Sequence, residues 1–317
     1  MTVDVLVVGG GLSGVAAARR CADAGLSVQV LDRGRRLGGR AAARTLDGHP
    51  VDTGAPYCTV SDDRFRTVAD AWLERGLLRE WTDTFRVAGP DGLGEERPGP
   101  VRYAATGGMR SLVEDLATGL DVVQRTVREV GPGRMVDGEL AAASIVVLAM
   151  PGPQAVRLLK AEHLELVPEA DQPYGPSIAV VARFAERTWP EFDAAFVSDL
   201  PIRWLADDGR SRGDGAPVLV AHTTPEVAAQ HLDDPDAVVE PVLAAMRQVL
   251  GVDLAPVEAF AHRWTFAQPT AGRDATFLLA PTGIALCGDG WSAKSRIEAA
   301  WLSGDDLGAA IVDRLTS

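Results

Sequence analysis

The chain has 317 residues, 46 % of them hydrophobic, which suggests about two domains with ordinary cores. A formal net charge of −13 argues against nucleic acid or an anionic membrane as the main partner, and no apolar run reaches the roughly 18 residues that span a bilayer. A strand is predicted soon after Met1, so no signal peptide is expected. Three cysteines without metal-ligand spacing favour a reduced, cytoplasmic setting and no metal site. The oligomeric state is left open.

The chain opens on a predicted strand, glycine turn and helix. Residues 5–8 form a continuous apolar run, which is typical of a buried parallel strand. Gly9, Gly11 and Gly14 then form G-x-G-x-x-G, which permits a tight turn, lets a pyrophosphate approach the backbone and lets the next helix pack close to the strand. Residues 15–24 are rich in alanine and predict that helix, whose N-terminal N–H groups would face the phosphates.

A second predicted strand ends in an acidic residue. Residues 28–31 are mainly apolar and Asp32 follows them, about 20 residues after the glycine turn, where an acid binds the hydroxyls of an adenosine ribose. Together with the glycine turn, this arrangement predicts a dinucleotide-binding βαβ unit. The alternative is a glycine-rich packing turn in which Asp32 caps a loop.

Two short motifs indicate which dinucleotide is bound. Residues 36–40 read R-L-G-G-R and residues 52–57 read D-T-G-A-P-Y, and both resemble motifs of the flavin-containing amine oxidase superfamily. The resemblance implies FAD, with Arg40 and the backbone of Gly39 at its pyrophosphate. The glycine and alanine of the second motif have almost no side chain, so the backbone there can lie flat against an aromatic ring. The alternative for the two arginines is a solvated basic loop.

The middle of the chain divides into two groups of elements. The first group contains helices, a loop or hairpin, a strand pair and a buried strand, predicted near residues 65–73 (helix), 86–100 (loop or hairpin), 109–116 (helix), 120–130 (strand pair) and 143–149 (strand). The second group has strand-like runs with few crossovers, which suggests an antiparallel or mixed sheet. Its predicted strands are 177–184, 202–207, 216–224 and 258–269, and its predicted helices are 225–232 and 236–250.

The chain closes on another strand, glycine turn and helix. Residues 283–287 are predicted to rejoin the N-terminal sheet, and Asp289 in Gly-Asp-Gly resembles the superfamily acid at the ribityl and pyrophosphate region of the flavin. Ser295 and Glu298 fit a capping box for the last helix, in which Gly304 would permit close packing. The helix N-terminus would then stabilise the negative charge of a reduced flavin. The alternative is a packing helix without a ligand.

These elements predict a mixed α/β fold: a Rossmann-like FAD-binding domain with an inserted, sheet-based substrate domain, similar in architecture to p-hydroxybenzoate hydroxylase. The FAD-binding domain is expected at residues 1–60, 103–155 and 276–317, and the substrate domain at 61–102 and 156–275. FAD is expected to be non-covalent, because residues 291–301 contain no cysteine for a link. By resemblance, the residues that bind it lie in the glycine turns and adjacent motifs: Gly9, Gly11, Leu12, Ser13, Gly14, Asp32, Arg33, Gly39, Arg40, Gly54, Ala55, Pro56, Val127, Gly288, Asp289, Arg296 and Ile297.

Within the superfamily, the chain resembles the renalase branch over most of its length. The resemblance rests on the short chain, on I-R-W-L-A-D at 202–207 and on H-R-W-T-F-A-Q-P at 262–269, which is similar to the motif R-W-x-x-A-x-P. It implies that dihydronicotinamide isomers reduced at ring position 2 or 6 give their hydride to flavin N5, and that O2 reoxidises the flavin, yielding NAD(P)+ and hydrogen peroxide. The candidate substrate contacts are aromatic and histidine side chains: Tyr57, Trp204, His222, His262, Trp264 and Phe266. The alternative for each aromatic side chain is ordinary core packing, and for each histidine a satisfied position in the core or at the sheet edge.

The scarcity of lysine fits this resemblance. The chain contains only Lys160 and Lys294, and neither falls in the predicted substrate sheet, where classical amine oxidases carry a lysine near flavin N5. A dihydropyridine becomes aromatic on losing hydride, so positioning and charge stabilisation would suffice. The candidate contacts for a substrate phosphate are Arg203, Arg263 and Arg296. Two alternatives stay open: an amine or other small-molecule oxidase of the same superfamily, including a biosynthetic one, and a flavin-binding redox sensor without turnover.

Overall fold

The computed structural model of the protein describes residues 3–131, 135–137, 139–140, 143–159 and 161–317. The chain folds into two compact units, each assembled from separate stretches of sequence. The first unit comprises Met1–Arg40, Val113–Tyr174 and Gln268–Ser317, and the second comprises Ala41–Leu112 and Gly175–Ala267. Their boundaries differ from those expected for the two domains. The assignment of FAD binding and substrate binding to particular stretches therefore stays a prediction.

The first unit is built on a six-stranded sheet. Its strands pair in parallel, except that one edge strand is antiparallel to its neighbour. That order is β16 (Phe277–Leu279), β17 (Ile284–Cys287), β10 (Ala143–Ala149), β1 (Val3–Val8), β2 (Val28–Asp32) and β7 (Asp121–Gln124). A small hairpin of β8 (Met135–Val136) and β9 (Glu139–Leu140) accompanies it. Strand β17 pairs with β10, which confirms the prediction that residues 283–287 rejoin the N-terminal sheet.

Helices of the first unit include α1 (Leu12–Asp23), α4 (Gly152–Leu158), α5 (Val167–Ala170) and α9 (Ile297–Thr316). Helices α1 and α9 pack against each other at two glycines. A Cβ atom on Gly304 would overlap the carbonyl oxygen of Ser13, and one on Gly308 would lie 2.6 Å from Cβ of Arg20. The predicted close packing at Gly304 is thus confirmed, and it holds α9 against the helix that follows the first glycine turn.

The second unit contains a seven-stranded mixed sheet. Its spatial order is β15 (Glu258–Pro269), β11 (Tyr174–Arg183), β14 (Val218–Thr223), β13 (Ile202–Asp207), β12 (Ala194–Val197), β5 (Leu78–Gly89) and β6 (Gly92–Ala105). A separate hairpin is formed by β3 (Ala43–Leu46) and β4 (His49–Asp52). Helices of the second unit include α2 (Asp63–Glu74), α6 (Asp208–Arg212), α7 (Pro225–Gln230) and α8 (Val239–Leu250). Helix α3 (Met109–Leu116) begins in the second unit, and its residues from Val113 belong to the first.

The two faces of this second sheet are chemically different. One face carries aliphatic side chains such as Ile202 and Leu205, which pack with Val242 and Met246 of α8 in a single buried cluster. The opposite face carries aromatic side chains, among them Trp204. Because successive side chains of a strand alternate between faces, the sequence of each strand contributes to both surfaces.

Two local predictions are wrong. The expected strand pair at residues 120–130 is a single strand, β7, which ends at Gln124. The expected capping box does not form: α9 begins after Arg296, no side chain caps it, and the Ser295 hydroxyl instead donates to a carboxylate oxygen of Asp289. A carboxylate six residues earlier in the chain has therefore taken the hydroxyl that was expected to cap the helix. Lys160, which is predicted to lie outside the substrate sheet, is not among the described residues.

Candidate functional site

The first glycine turn of the first unit has the geometry that its motif predicts. Gly9 has φ +114°, and its N–H donates to the carbonyl of Leu31 at 2.8 Å. A Cβ atom on Gly14 would overlap the carbonyl oxygen of Gly9 and lie 2.8 Å from Cβ of Ala149. Helix α1 then starts at Leu12, and its N-cap residue, Gly11, makes no side-chain capping bond. The turn therefore leaves the helix N-terminus without a side chain over it, as an anion site requires.

The R-L-G-G-R motif lies directly beside this turn. Gly38 forms a parallel β-bridge with Gly11, and its N–H donates to the carbonyl of Gly10 at 2.9 Å. Gly39 has φ +52°, and a Cβ atom on it would lie 3.2 Å from Cα of Gly11. Two glycine-rich segments thus meet backbone to backbone, which leaves little side-chain volume at the predicted pyrophosphate site.

Asp32 is held at the end of β2 by backbone donors. Its Oδ2 accepts from the N–H of Gly10 at 2.6 Å, and its Oδ1 accepts from the N–H of Gly34 at 2.6 Å. The residue is half-buried and the neighbouring Arg33 is exposed. Each carboxylate oxygen can accept a further hydrogen bond, so the oriented carboxylate suits a ribose hydroxyl.

Asp289 of the second glycine turn is paired with Arg40. The guanidinium makes two bonds to the carboxylate, one of them Nη1 to Oδ2 at 2.9 Å. The Asp289 side chain is 8 % exposed and that of Arg40 is 27 % exposed. Tyr174 lies beside the pair, with its ring centroid 5.6 Å from the Arg40 guanidinium carbon, and burial, reinforced by the charge of Asp289, raises the pKa of this tyrosine to about 12. No sequence motif pointed to Tyr174.

The N-terminus of α9 is positioned by the same turn. The N–H of Gly288 donates to the hydroxyl of Ser303 at 2.9 Å, and that hydroxyl donates to the carbonyl of Thr276 at 2.5 Å. Arg296 pairs with Glu298 at 3.1 Å, and no side chain caps the first turn. Ile297, the first residue of the helix, is half-buried. This end of the helix can therefore direct its N–H groups at a ligand.

Val127, the predicted adenine contact, is a buried side chain of the sheet core. It is 9 % exposed and belongs to one hydrophobic cluster with Leu6, Val8 and Leu31. An adenine contact there stays a prediction.

The second unit holds the D-T-G-A-P-Y segment at both ends. Trp264 Nε1 donates to the carbonyl of Thr53 at 2.6 Å, and Cys58 exchanges two backbone hydrogen bonds with Tyr103, each 2.9 Å long. Between these anchors Gly54 is buried, and Ala55 and Pro56 are half-buried. A strip with almost no side-chain volume is therefore fixed in place.

Aromatic rings cover part of one face of the second sheet. Tyr57 lies 5.4 Å from Phe85, 5.7 Å from Trp204 and 6.2 Å from Trp81, measured between ring centroids. Burial raises the pKa of Tyr57, although the charge of Arg102 opposes the shift. The hydroxyl of Tyr57 is thus neutral at physiological pH. The cluster presents mutually tilted rings, and the guanidinium of Arg102 lies 4.1 Å from the Phe85 ring centroid.

The two predicted contact histidines, His222 and His262, are neutral. Burial lowers the pKa of His222 to about 3, assisted by the charge of Arg203. Burial also lowers the pKa of His262 to about 4, assisted by Arg44 and Arg110, and its ring lies edge-on to Trp264 at 4.6 Å. Both imidazoles can donate and accept hydrogen bonds, but neither carries charge at pH 7. Phe266, further along β15, is half-buried.

Asp52 is a buried carboxyl next to the small-residue strip. Its Oδ1 accepts from the N–H of Met109 at 2.8 Å. Burial raises its pKa to about 7, and the Met109 bond and the charges of Arg212 and Arg110 only partly oppose this.

The raised pKa of Asp52 predicts a pH-dependent stability. The folded-state pKa lies above the ordinary value of 3.8, so its contribution is complete below that value and is lost as the pH rises through about 7. This contribution should lower the melting temperature as the pH rises from 5 to 8, whereas the buried neutral His222 and His262 act in the opposite direction. The change in melting temperature from pH 5 to pH 8 should therefore be more positive in Asp52→Asn than in the wild type. Thermal unfolding at both pH values tests this, with Asp233→Asn, at an exposed position, as the control. An unchanged difference in Asp52→Asn would contradict it.

Neither a metal centre nor a membrane helix is found in the part of the chain that the structure describes. No group of three His, Cys, Asp or Glu side chains there could hold a metal ion. Among the described helices, none combines the length and the apolar character needed to cross a membrane.

The comparisons with known proteins agree with this geometry. Residues 7–72 match the model of the NAD(P)-binding Rossmann-like domain, and residues 88–311 match that of the flavin-containing amine oxidoreductases. Flavin-containing amine oxidase B of Rattus norvegicus is 45 % identical over 67 residues, which are 21 % of this chain and 13 % of that protein. Carotenoid 3,4-desaturase of Haloarcula japonica is 44 % identical over 59 residues, which are 19 % of this chain and 12 % of that protein. The chain thus spans only about an eighth of the length of these curated relatives.

Solved structures share the fold over almost the entire chain. A putative protoporphyrinogen oxidase from Exiguobacterium sp. 255-15 superposes with a TM-score of 0.78 at 18 % identity, covering 99 % of both chains. Cyclohexylamine oxidase from Brevibacterium oxydans superposes with a TM-score of 0.78 at 14 % identity, covering 100 % of both. Putrescine oxidase bound to putrescine gives a TM-score of 0.73 at 19 % identity, covering 99 % of this chain and 100 % of that one. The predicted mixed α/β fold with a Rossmann-like domain is confirmed.

The family match covers most of the chain. The chain belongs to the flavin-containing amine oxidoreductase family, a family of FAD-dependent oxidoreductases. FAD is accordingly its cofactor, and the first unit fits it: two bare glycine turns, two uncapped helix N-termini and an oriented carboxylate at a strand end are what a dinucleotide requires. The assignment of individual residues to parts of FAD stays a prediction.

Asp32 gives the sharpest test of the adenosine end. Asp32→Ala should weaken FAD binding about ten- to a hundredfold, because one charge-assisted hydrogen-bond partner contributes about 1.5–3 kcal/mol. Flavin content after purification and a titration of the apoprotein measure this. Asp4→Ala is a matched control. Asp4 also accepts a backbone N–H, from Ser27 at 2.8 Å, but it lies near the start of β1, at the opposite end of that strand from the glycine turn. Equal FAD affinity in the wild type and Asp32→Ala would overturn the assignment.

Proposed function

We propose that the protein is a renalase-like, FAD-dependent oxidase of dihydronicotinamides reduced at ring position 2 or 6, which it converts to NAD(P)+ with formation of hydrogen peroxide. The family supplies the cofactor and the general chemistry. The I-R-W-L-A-D and H-R-W-T-F-A-Q-P segments support the renalase branch, and they lie on β13 and β15 of the second sheet.

The composition of the aromatic sheet face carries the proposal. It combines rings, here Tyr57, Phe85 and Trp204, with a neutral His222, and no lysine occurs anywhere in residues 41–112 or 175–267. An amine substrate must lose a proton before it gives up hydride, whereas a dihydropyridine carries none to lose and gains aromaticity. A face without a lysine or a charged histidine suits the second kind of substrate.

The chain's own groups supply position and electrostatics. When bound, FAD accepts the hydride and passes the electrons to O2. Tyr57 and its neighbouring rings, which are tilted against one another, offer an apolar surface that a planar ring can contact and that excludes water. The small-residue strip at Gly54 and Ala55 lets backbone approach an aromatic ring closely. The N-terminus of α9 contributes partial positive charge, which favours a negatively charged ligand group.

Anaerobic stopped-flow mixing tests the proposal. The 2- or 6-reduced isomers of NADH should bleach the flavin absorbance quickly, and NADH, which is reduced at position 4, should react poorly because its reacting carbon lies elsewhere on the ring. Near-attack distances of about 3–3.5 Å allow little tolerance for that displacement. Fast bleaching by putrescine or cyclohexylamine, without a response to any dihydronicotinamide, would contradict it.

Amine oxidation is the second candidate, and the family match over residues 88–311 favours it. The resemblance to putrescine oxidase and cyclohexylamine oxidase supports it only at the level of the fold, since the identities are 19 % and 14 %. The same stopped-flow series distinguishes the two candidates, because each predicts reduction by a different class of compound.

A further inference from the structure

Strand β13 contains a bulge at Arg203. The pairing with β14 passes from Ile202 opposite Thr223 to Trp204 opposite His222, so Arg203 and Trp204 share a single partner. A bulge changes the face on which the following side chains lie. Ile202 packs in the aliphatic core beneath α8, whereas Trp204, two residues later, lies on the aromatic face. The irregularity therefore brings an indole alongside an imidazole on that face.

Both of these side chains have a buried polar atom without a partner. Nε1 of Trp204 and Nε2 of His222 are shielded from solvent, and neither has a hydrogen-bond partner among the residues that the structure describes. Trp204 is only 5 % exposed. Buried polar atoms are almost always paired in native proteins, since leaving one unpaired is costly. Two such atoms on opposing residues of one strand pair point to a ligand that pairs with both.

The charges around the pair identify the kind of ligand. Burial lowers the pKa of His222 to about 3, so its Nε2 can accept a hydrogen bond at pH 7. The charge of Arg203 acts on His222 and is opposed by that of Glu226. The guanidinium of Arg102 lies 4.1 Å from the ring centroid of Phe85, which is a neighbour of Trp204. These two arginines disfavour an ammonium. The indole N–H can only donate. The site offers one donor and one acceptor to a neutral group.

We infer that Trp204 and His222 together bind the carboxamide of a dihydronicotinamide, an inference that rests on the proposed function. The indole N–H donates to the carboxamide oxygen, and the carboxamide NH2 donates to Nε2 of His222. A primary carboxamide is neutral and planar and presents an acceptor and a donor side by side. With the proton of His222 on Nδ1, a carboxylate has no donor for Nε2, and an ammonium has no acceptor for Trp204.

Equilibrium binding of oxidised dinucleotides to the wild-type holoenzyme tests this without any substitution. The probes are NAD+, its 3-acetylpyridine analogue, which keeps the acceptor but lacks the NH2, and its nicotinic acid analogue, which carries a carboxylate. Calorimetry or the change in flavin absorbance gives each dissociation constant. NAD+ should bind about tenfold more tightly than either analogue, which corresponds to about 1.4 kcal/mol.

Two substitutions assign the discrimination to its residues. His222→Phe should bind NAD+ and the acetylpyridine analogue equally well, because the acceptor for the NH2 is gone. Trp204→Phe should weaken both about tenfold and keep the difference between them. The controls are His231→Phe and Trp72→Phe, which remove a histidine and a buried indole elsewhere in the second unit. Both should bind like the wild type, and flavin content and melting temperature show whether each variant is folded.

The outcomes separate this inference from the proposed function. Equal binding of the three probes by a wild type that the dihydronicotinamide isomers reduce would overturn the carboxamide site alone. Unchanged discrimination in folded His222→Phe would do the same. A wild type that binds no NAD+ and is reduced by no dihydronicotinamide would overturn the proposed function, and the inference with it.

Discussion

Arg40→Met should lower the free energy of unfolding by about 3–5 kcal/mol and leave the purified protein nearly free of FAD. The substitution removes the partner of Asp289, whose side chain is 8 % exposed, and an unpaired buried carboxylate is costly. Tyr174 would lose its cation at the same time. Chemical denaturation and the ratio of flavin to protein absorbance measure the two effects.

The same motif provides the control. Arg36 pairs with Glu114 at 2.8 Å, but the two side chains are 56 % and 34 % exposed. Surface ion pairs contribute about 0–1 kcal/mol, so Arg36→Met should change stability little. Adding Asp289→Asn to Arg40→Met should restore part of the stability, because the unpaired charge is gone, but not the FAD affinity. Equal losses in Arg36→Met and Arg40→Met would contradict the account of the buried pair.

Gly14→Ala should cost about 3 kcal/mol or more and abolish tight FAD binding. The added Cβ atom would overlap the backbone oxygen of Gly9, which cannot move without distorting the turn, and would press on Ala149. Alanine favours a helix by about 1 kcal/mol over glycine, so a pure propensity effect would have the opposite sign. Denaturation and flavin content again provide the readouts. In Gly89→Ala the new Cβ atom meets Ser198 only at 3.6 Å, and that variant should remain stable and yellow. A stable, flavin-loaded Gly14→Ala would contradict the role of the turn.

Local sequence patterns predicted the elements that carry their own signal. The glycine turn at Gly9 and the apolar run of β1 specify a strand, turn and helix within a few residues. β15 was predicted with the bounds that it has, Glu258–Pro269, because a long apolar-rich run ending in proline identifies a strand and its end. The helix that begins at Met109 was predicted over the residues that it spans, 109–116.

Other features depend on residues that are far apart in the chain. Arg40 and Asp289 are 249 positions apart, and no spacing rule predicts that they pair. The four-residue β12, Ala194–Val197, is too short to give a pattern, and it becomes a strand by pairing with β13 and β5. The bulge at Arg203 depends on the register between two strands, which one strand's sequence does not contain.

Some residues of the candidate site could likewise be predicted from short motifs, whereas the arrangement of others depends on the fold. Asp32, Gly39 and Asp289 could be proposed because short motifs surround them. Trp204 and His222 could be named from the resemblance, but not their shared position, since the cross-strand pairing that brings them together appears only in the fold.

The central claim is turnover of dihydronicotinamide isomers with O2 as the acceptor. The most direct test is the amount of NAD+ and hydrogen peroxide formed when the aerobic holoenzyme acts on a mixture of NADH and its 2- and 6-reduced isomers. The account predicts that the isomers disappear, that NAD+ and peroxide form in equal amounts, and that NADH itself remains. Consumption of NADH at the same rate as its isomers, or no peroxide from this mixture and rapid peroxide formation from putrescine or cyclohexylamine, would contradict it.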